Sequence, residues 1–267
     1  MVLLKRLPLL LLAPCLLAAQ TLTVQPPGTA PATETRTVPL ASGSVLKVDN
    51  VNGWVKVEAW DRAEVRFTGD FKPSSRGEQV KVVLEPVPGG LEIRGVYPKH
   101  HGWGAYRGPQ CQMTLKVPRQ VQPTLETVNG GIELAGTEGR ASLTTVNGGV
   151  KARNLPEALE ASTVNGGISL EGVAGPVALH TVNGAIRASA LDGKGGGIKA
   201  STVNGAIQLR LAGLKGRLRA STVNGSIAFK ARGAEQVEVK KHHVRALLPG
   251  GDQAIVLDTV NGGISLE

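Results

Sequence analysis

Cysteine and aromatic side chains are scarce in this sequence. Two cysteines occur in 267 residues, and aromatic residues make up 3% of the chain. If Cys15 is removed with the N-terminal segment described below, Cys111 remains alone and an intramolecular disulfide is excluded. No segment after that one has the apolar period of a helix, whereas glycine is abundant, with 35 residues. This composition favours a narrow, turn-rich, all-β structure over a bulky globular core.

The N-terminal residues have the pattern of a secretory signal peptide. Lys5 and Arg6 precede an apolar run over residues 7–17, which is too short to remain in a bilayer as a spanning helix. Small residues follow the run, and we expect cleavage near Ala19. Residues 1–20 are therefore predicted to be a signal peptide, and the protein is predicted to be exported to the periplasm, the cell surface or the extracellular medium.

The alternative is a lipoprotein signal in which Cys15 carries the lipid, and Pro14 directly before that cysteine argues against it. The next segment, 21–37, is rich in proline and threonine and is expected to form an extended tether. Beyond the tether we expect an N-terminal cap region over 38–125 and a repeat region over 126–267.

The tetrapeptide Thr-Val-Asn-Gly occurs seven times and organises the second half of the chain. Successive asparagines are 18, 18, 18, 21, 20 and 37 residues apart. A period near 18 residues with a turn signal in each copy predicts a repeat architecture. Asn-Gly favours a tight turn because both residues tolerate a positive φ. The asparagines are Asn129, Asn147, Asn165, Asn183, Asn204, Asn224 and Asn261.

Apolar and polar residues alternate on both sides of each Asn-Gly pair. In the first copy Leu125 and Thr127 precede the pair, Ile132 and Leu134 follow it, and later copies keep the same positions. A period of two describes two short strands, each with one buried face. Stacking the copies at about 4.8 Å would join these faces into one core. The sequence therefore predicts a β-solenoid of two-strand coils, with the asparagines in one column. The alternative, a meander of separate hairpins, would not explain the constant register.

Three further assignments extend the array. Residues 46–57 fit the pattern with Asn52 in the asparagine position, so they are predicted to be the first coil, with inserted strands over 61–125 as a cap. The gap before Asn261 is about two periods, and a degenerate coil with His243 in the asparagine position is predicted there. Its inward residues would be Val237, Val239, Ala246 and Leu248. The last rung, after Asn261, is predicted to leave an open C-terminal edge for a homo-oligomer contact.

The order of these features resembles a known bacterial family. A signal peptide is followed by a Val51-Asn52-Gly53 coil, by strands that end in Leu115-Lys116-Val117-Pro118, and by Thr-Val-Asn-Gly-Gly-Ile repeats. Over residues 38–267 this arrangement resembles the "putative adhesin" domain family of unknown function, which is similar to the auto-transporter adhesin head domain. The resemblance implies a right-handed β-helix that binds at the cell envelope or surface and has no known catalytic residues.

The acidic residues do not indicate a catalytic site. A lyase on a β-helix needs several carboxylates on one face to hold Ca²⁺, and a glycoside hydrolase needs a pair. The outward acids fall in different columns or in separated coils: Glu126, Glu133, Glu160, Glu171 and Asp258. We therefore predict a non-catalytic binding module without a cofactor. The alternatives are a polysaccharide-active enzyme on the same scaffold and a self-assembling structural protein of the envelope.

Histidine and cysteine residues offer one weak metal-binding hypothesis. His100, His101 and Cys111 together could ligate a metal ion. Adjacent histidines on a strand point to opposite faces, which works against a shared site. No metal site is therefore predicted.

Basic residues outnumber acidic ones. The formal net charge of +9 falls to +7 when Lys5 and Arg6 leave with the signal peptide. Basic residues recur at two outward positions after the turn, in a basic stripe that Glu133 and Glu171 interrupt. The stripe consists of Lys151, Arg153, Arg187, Arg210 and Lys230. It would attract an envelope glycan, a lipid head group or a surface protein. Nucleic acid is not expected without interleaved aromatics. The alternative is that these charges only keep the strands soluble.

A valine precedes the asparagine in all seven copies. At a sharp corner this column would tuck inward. If it faces solvent instead, it is a continuous apolar strip suited to self-association.

Overall fold

The computed structural model describes residues 20–21, 32–99, 106–230 and 233–267. These residues form two β-sheets and no helix, which confirms the predicted all-β class. Within the described ranges, accordingly, no helix could cross a membrane. The signal peptide predicted for residues 1–20 lies outside these ranges except for its last residue.

Sheet A has 13 strands and sheet B has 11. In spatial order, sheet A consists of β1 (Gln20–Thr21), β6 (Lys81–Val87), β7 (Gly90–Val96), β3 (Val45–Asp49), β9 (Gln122–Thr127), β11 (Ala141–Asn147), β13 (Leu159–Asn165), β15 (Val177–Asn183), β17 (Ile198–Asn204), β23 (Ala254–Asn261), β19 (Gly216–Asn224), β22 (His243–Leu248) and β21 (Glu235–Lys240). In the same order, sheet B consists of β2 (Ala32–Pro39), β5 (Glu64–Lys72), β8 (Gln110–Pro118), β4 (Val55–Trp60), β10 (Ile132–Ala135), β12 (Val150–Leu155), β14 (Ile168–Val173), β16 (Ile186–Leu191), β18 (Ile207–Leu209), β24 (Ile264–Leu266) and β20 (Ile227–Phe229).

Each repeat contributes one strand to each sheet, and strands of successive coils pair in parallel. Leu143 on β11 pairs with Ala161 on β13, and Val150 on β12 pairs with Ile168 on β14. Because the two strands of one repeat lie in different sheets, a meander of hairpins does not describe the repeats. The alternating apolar residues face the space between the sheets and form one continuous core.

Large and small core residues alternate along the stack in a complementary way. In one coil Leu143 on sheet A accompanies Ala152 on sheet B, and in the next coil Ala161 accompanies Leu170. All four side chains are buried. At these two facing positions each coil therefore places one leucine and one alanine, so that the core volume there stays nearly constant and successive layers interlock.

The prediction of positive-φ Asn-Gly turns is wrong for the repeats. Gly53 in the first coil has a φ of 132°, but Asn147, Gly148 and their counterparts in the other repeats do not have positive φ values. The reason is that the chain turns a corner from one sheet into the other, rather than reversing within a sheet. Glycine is required here by close approach: a Cβ on Gly148 would lie 2.0 Å from the Gly130 carbonyl oxygen of the adjacent coil.

The N-terminal region extends both sheets. β3 pairs with β9 and β4 pairs with β10, so the predicted first coil over 46–57 stacks directly on the first repeat. β5 and β8 continue sheet B beyond this coil, and β6 and β7 continue sheet A. Of the segment 21–37 expected to be a tether, Thr21 belongs to β1 and residues 32–37 belong to β2, and the remainder lies outside the described residues. β2 pairs antiparallel with β5, with Val38 opposite Val65.

The C-terminal coil does not stack last. β23 and β24 lie between β17 and β18 on one side and β19 and β20 on the other. Ile255, Leu257 and Ile264 are thereby buried in the core. The predicted open edge at the last rung is wrong, because both strands of that rung have a neighbour on each side. At this end of the described chain the outermost strands are β20 and β21.

The predicted degenerate coil around His243 is also wrong. β21 and β22 form an antiparallel hairpin, and β22 runs antiparallel to β19. Ala246 and Leu248 are buried as predicted, but Val237 and Val239 are 44% and 56% exposed. The physical reason is that β20 is the last strand of sheet B, so that no strand faces β21 across the core.

Candidate binding surfaces

Asparagines form an unbroken ladder along the corner between the sheets. Each of seven donates its Nδ2–H to the Oδ1 of its neighbour at 2.8–2.9 Å. In spatial order the ladder consists of Asn52, Asn129, Asn147, Asn165, Asn183, Asn204, Asn261 and Asn224. At about 4.8 Å per coil the eight rungs span about 34 Å. Each amide has a second N–H, so the ladder presents a regular row of donors.

The threonine of each repeat points inward, and its hydroxyl is hydrogen-bonded. Thr145 donates through Oγ1 to the Gly130 carbonyl oxygen of the adjacent coil at 2.8 Å, and Thr163 donates to that of Gly148 at 2.9 Å. The other copies make the same contact at 2.9–3.2 Å. The carbonyl that accepts this bond is also the atom that excludes a Cβ on the next glycine. The geometry of the corner therefore explains the Thr-Val-Asn-Gly motif. The threonine hydroxyl and the glycine contact the adjacent coil, whereas the valine side chain makes no contact inside the stack.

The valine column faces solvent. Seven of its eight members, including Val51 in the first coil, are 37–40% exposed, and Val223 is 63% exposed. The neighbouring asparagine and glycine are uncharged in every coil. The corner is thus a continuous strip of valine and asparagine without a charged group at its centre. The sequence predicted a continuous apolar strip if the valine column faced solvent, and the column does face solvent.

The basic stripe lies on the outer face of sheet B, and acidic residues divide it. Lys151 donates to Glu133 at 3.1 Å, and Arg153 lies opposite Glu171 on the next strand. Because the C-terminal coil is inserted, Glu267 lies between two further stripe residues, Arg210 and Lys230. Arg187 donates to Gln208 Oε1 at 3.1 Å. Positive and negative charges therefore alternate on this face more than the sequence order of the coils predicts.

A shallow groove crosses the same face, with a volume of about 500 Å³. Arg187 and Arg210 line it, together with Glu171 and Glu267 and with serine side chains of three coils. Two positive and two negative groups with interspersed hydroxyls suit a neutral polar ligand such as a glycan as well as an anion.

A polar row on the outer face of sheet A was not found from the sequence. His180 Nδ1 lies 2.6 Å from Ser201 Oγ, and Ser221 donates to Asp258 Oδ1 in a short hydrogen bond. Asp258 lies in register between Ser201 and Ser221 on the two neighbouring strands and is hydrogen-bonded to Ser221. The row therefore lacks the serine–histidine–aspartate order that activates a nucleophile. Ser221 and Asp258 are 37 residues apart, and only the inserted coil makes them neighbours.

The metal hypothesis finds no geometric support in the described part of the chain. His100 and His101 lie outside the described residues. Cys111 is fully buried, and burial raises the pKa of its thiol to about 12, so that it remains protonated. Within the described ranges, no three histidine, cysteine, aspartate or glutamate side chains are grouped so as to hold a metal ion.

The repeat region is the part of the chain that identifies its family. A family model described as Toastrack DUF4097 matches residues 126–267, just over half of the chain. The chain belongs to the Toastrack DUF4097 family. This confirms the family-level resemblance stated from the Thr-Val-Asn-Gly-Gly-Ile repeats. The matched segment contains the ladder and the valine strip except for their first members, Asn52 and Val51. None of the curated proteins matches the chain.

Several solved structures are similar over most of this Toastrack chain. A "putative adhesin" from Bacteroides fragilis is 13% identical, covers 92% of this chain and 100% of its own, and has a TM-score of 0.43. A "putative cell adhesion protein" from Clostridium sporogenes is 12% identical, with coverage of 89% and 99% and a TM-score of 0.39. A "putative lipid binding protein" from Parabacteroides distasonis is 12% identical, with coverage of 88% and 96% and a TM-score of 0.37. At these values the likeness carries no inference about function.

Proposed function

We propose that this protein is an exported, non-catalytic binding module of the cell envelope or cell surface. The observation that carries the proposal is the regular corner, where the same exposed valine and asparagine recur on eight successive coils. A surface that repeats at the strand spacing offers many identical weak contacts to an extended or multivalent partner. The N-terminal basic and apolar segment supports export.

The stack is, on this proposal, a right-handed β-solenoid of two-strand coils. Its partner is an envelope glycan, a lipid head group or a surface protein that carries negative charge. The basic stripe supports this choice, since Arg153, Arg187, Arg210 and Lys230 form no salt bridge among the described residues. The intervening acids reduce the attraction without removing it.

The test is binding of the purified protein to an array of acidic and neutral envelope glycans and lipids, at low and high salt. A stripe variant carries Lys151→Ser, Arg153→Ser, Arg187→Ser and Arg210→Ser. A control variant removes the same charge from exposed positions far from the stripe. Its substitutions are Lys72→Ser, Lys81→Ser, Arg94→Ser and Lys99→Ser.

We expect salt-sensitive binding to an acidic array member that the stripe variant loses and the control keeps. Equal loss in both variants would show that only net charge matters. Binding that survives in the stripe variant would remove the stripe from the proposal and leave the corner as the contact surface. Failure to bind any array member would contradict the proposed function as stated.

Self-association is a second candidate function, and the solvent-facing valine strip favours it. Two strips from two copies repeat at the same spacing, so their valines can register along the whole 34 Å estimated above from the strand spacing. Val164→Lys with Val182→Lys would place two charges in the middle of the strip. Light scattering over a range of protein concentrations should show an oligomer that these substitutions dissociate. A monomer at every concentration, before and after substitution, would exclude this role.

A further inference from the structure

A second basic cluster, which we call the sheet A row, lies on the opposite sheet from the stripe. Arg219 on β19 lies directly opposite Arg245 on β22. Val256 on β23 separates Arg219 from Lys199 on β17. Arg217 lies two residues before Arg219 on the same exposed face. These four basic residues form a row across four adjacent strands, about 14 Å wide at the usual strand spacing.

The basic side chains of the row are not paired in salt bridges, although Glu238 interacts with Arg245 electrostatically. None of its four basic side chains forms a salt bridge with a described residue. Glu238 lies opposite Arg245 on β21, but its carboxylate pairs with Lys240 at 2.5 Å. Asp258 lies two residues after Val256 and accepts a hydrogen bond from Ser221. The row therefore keeps an excess of positive charge next to these two carboxylates.

Two arginines directly opposite each other in an antiparallel pair are destabilising. The pair exists only because the inserted coil and the reversed β22 bring together residues that are 26 positions apart. An anion between the two guanidinium groups would remove this repulsion. Phosphate fits best, since arginine binds its oxygens through two parallel N–H donors.

An open trough on the same face ends at the row. Its volume is about 600 Å³, and it crosses seven strands from β3 to β23. Ala178 and Val256 line it, together with other small or apolar groups. Three charged residues line the trough: Lys199, which also belongs to the row, Arg140 on the side away from the row, and Glu160. A mostly apolar trough with a basic end suits a molecule that is apolar along its length and anionic at one end.

We propose that the sheet A row and this trough bind an anionic phospholipid. The phosphate lies on Arg219 and Arg245, with Arg217 and Lys199 on either side, and an acyl chain lies along the trough over Val256 and Ala178. This goes beyond the proposed function, because it uses a different sheet and does not require the basic stripe.

The test is a calorimetric titration of the purified protein with dihexanoylphosphatidylglycerol below its micelle concentration. Three comparisons accompany it. Dihexanoylphosphatidylcholine keeps the chains but has no net charge, and glycerol phosphate keeps the phosphate but has no chains. The third is an Arg219→Ser/Arg245→Ser variant, with Lys72→Ser/Lys81→Ser as the control of equal charge.

We expect saturable binding of the phosphatidylglycerol that is about 25-fold weaker in the Arg219→Ser/Arg245→Ser variant, at about fivefold for each basic residue at an anionic head group. The control should bind like the unsubstituted protein. Circular dichroism and the melting temperature report folding: the spectrum should be unchanged, and the melting temperature should not fall when the repulsive pair is lost.

Three results would overturn the proposal. If the phosphatidylcholine binds as tightly as the phosphatidylglycerol, the basic row does not contribute to binding. If glycerol phosphate binds as tightly as the phosphatidylglycerol, the trough does not contribute to binding. Unchanged affinity in the folded Arg219→Ser/Arg245→Ser variant would refute the phosphate site at the two arginines. The basic stripe variant distinguishes the two sheets: it should keep this lipid affinity even if it loses binding to the acidic glycans of the array.

Discussion

Replacing Gly166 with alanine tests the corner geometry of the stack. Gly166 does not have a positive φ, so its backbone conformation alone predicts that alanine would lower the stability very little. A Cβ at this position would, however, lie 1.9 Å from the Gly148 carbonyl oxygen of the adjacent coil. That oxygen also accepts the hydrogen bond of Thr163 at 2.9 Å. Because a backbone carbonyl cannot rotate away as a side chain can, the two coils must separate locally and the threonine bond must break.

We expect Gly166→Ala to lower the free energy of unfolding by about 3 kcal/mol, the upper part of the range for overpacked cores. Gly167→Ala is the matched control. A Cβ there would lie 3.1 Å from the nearest carbonyl oxygen, and alanine occupies the same position at Ala185 in the next coil. Its effect should stay within about 1 kcal/mol. Urea unfolding followed by circular dichroism measures both. If Gly166→Ala matches Gly167→Ala, the close-approach account is wrong.

Three further outcomes are expected. Asn165→Ala removes two ladder hydrogen bonds of 2.9 Å and should cost about 1–2 kcal/mol in urea unfolding. Burial raises the pKa values of Cys111 and Tyr97 to about 12 from 9.0 and 10.0. The contribution of each group to stability is therefore fully present below its ordinary pKa, 9.0 for Cys111 and 10.0 for Tyr97. Above that pH the free energy of unfolding should fall towards pH 12, by about 1.4 kcal/mol per pH unit for each group. Arg219→Glu creates an opposite-charge pair with Arg245 and should raise the melting temperature, with a gain of about 0.5–1 kcal/mol.

Each of these has a control or a contradicting result. Asn224→Ala removes the single bond at the end of the ladder and should cost about half as much as the central substitution. A stability that does not change above pH 9 would contradict the buried thiol, and Cys111→Ala should remove its share of the slope. Arg219→Ser, which removes the repulsion without adding attraction, should raise the melting temperature less than Arg219→Glu.

The ladder, the inward columns and the first coil follow from the sequence because they depend on register alone. Thr163, Asn165 and Ile168 occupy the same positions relative to the corner in every copy, and a parallel stack keeps such positions in line. Strand period and spacing are local properties, so single-sequence reasoning can reach them. The reason for glycine is not local, because it depends on the carbonyl of the adjacent coil.

The order of the coils does not follow from the sequence. The copies that contain Asn204, Asn224 and Asn261 share one motif, so any of them can pair with any other. The position of the C-terminal coil and the formation of the β21–β22 hairpin are therefore set by tertiary contacts, because the sequence offers several equivalent pairing partners. The inserted coil places Glu267 between two stripe residues, and the hairpin places Arg245 beside Arg219; neither arrangement follows from the sequence.

The order of the coils is therefore the central claim, since it sets the neighbours on both sheets, and a disulfide series tests it directly. In a Cys111→Ala background, the pairs Ser201→Cys/Asp258→Cys and Ser221→Cys/Asp258→Cys replace residues on adjacent strands. The pair Ser201→Cys/Ser221→Cys lies two strands apart, about 9.6 Å, beyond the span of a disulfide. We predict that mild oxidation closes the first two disulfides, seen as a mobility shift without reductant, and leaves the third open. Closure of the third pair with the first left open would show that the coils stack in chain order and would contradict the account.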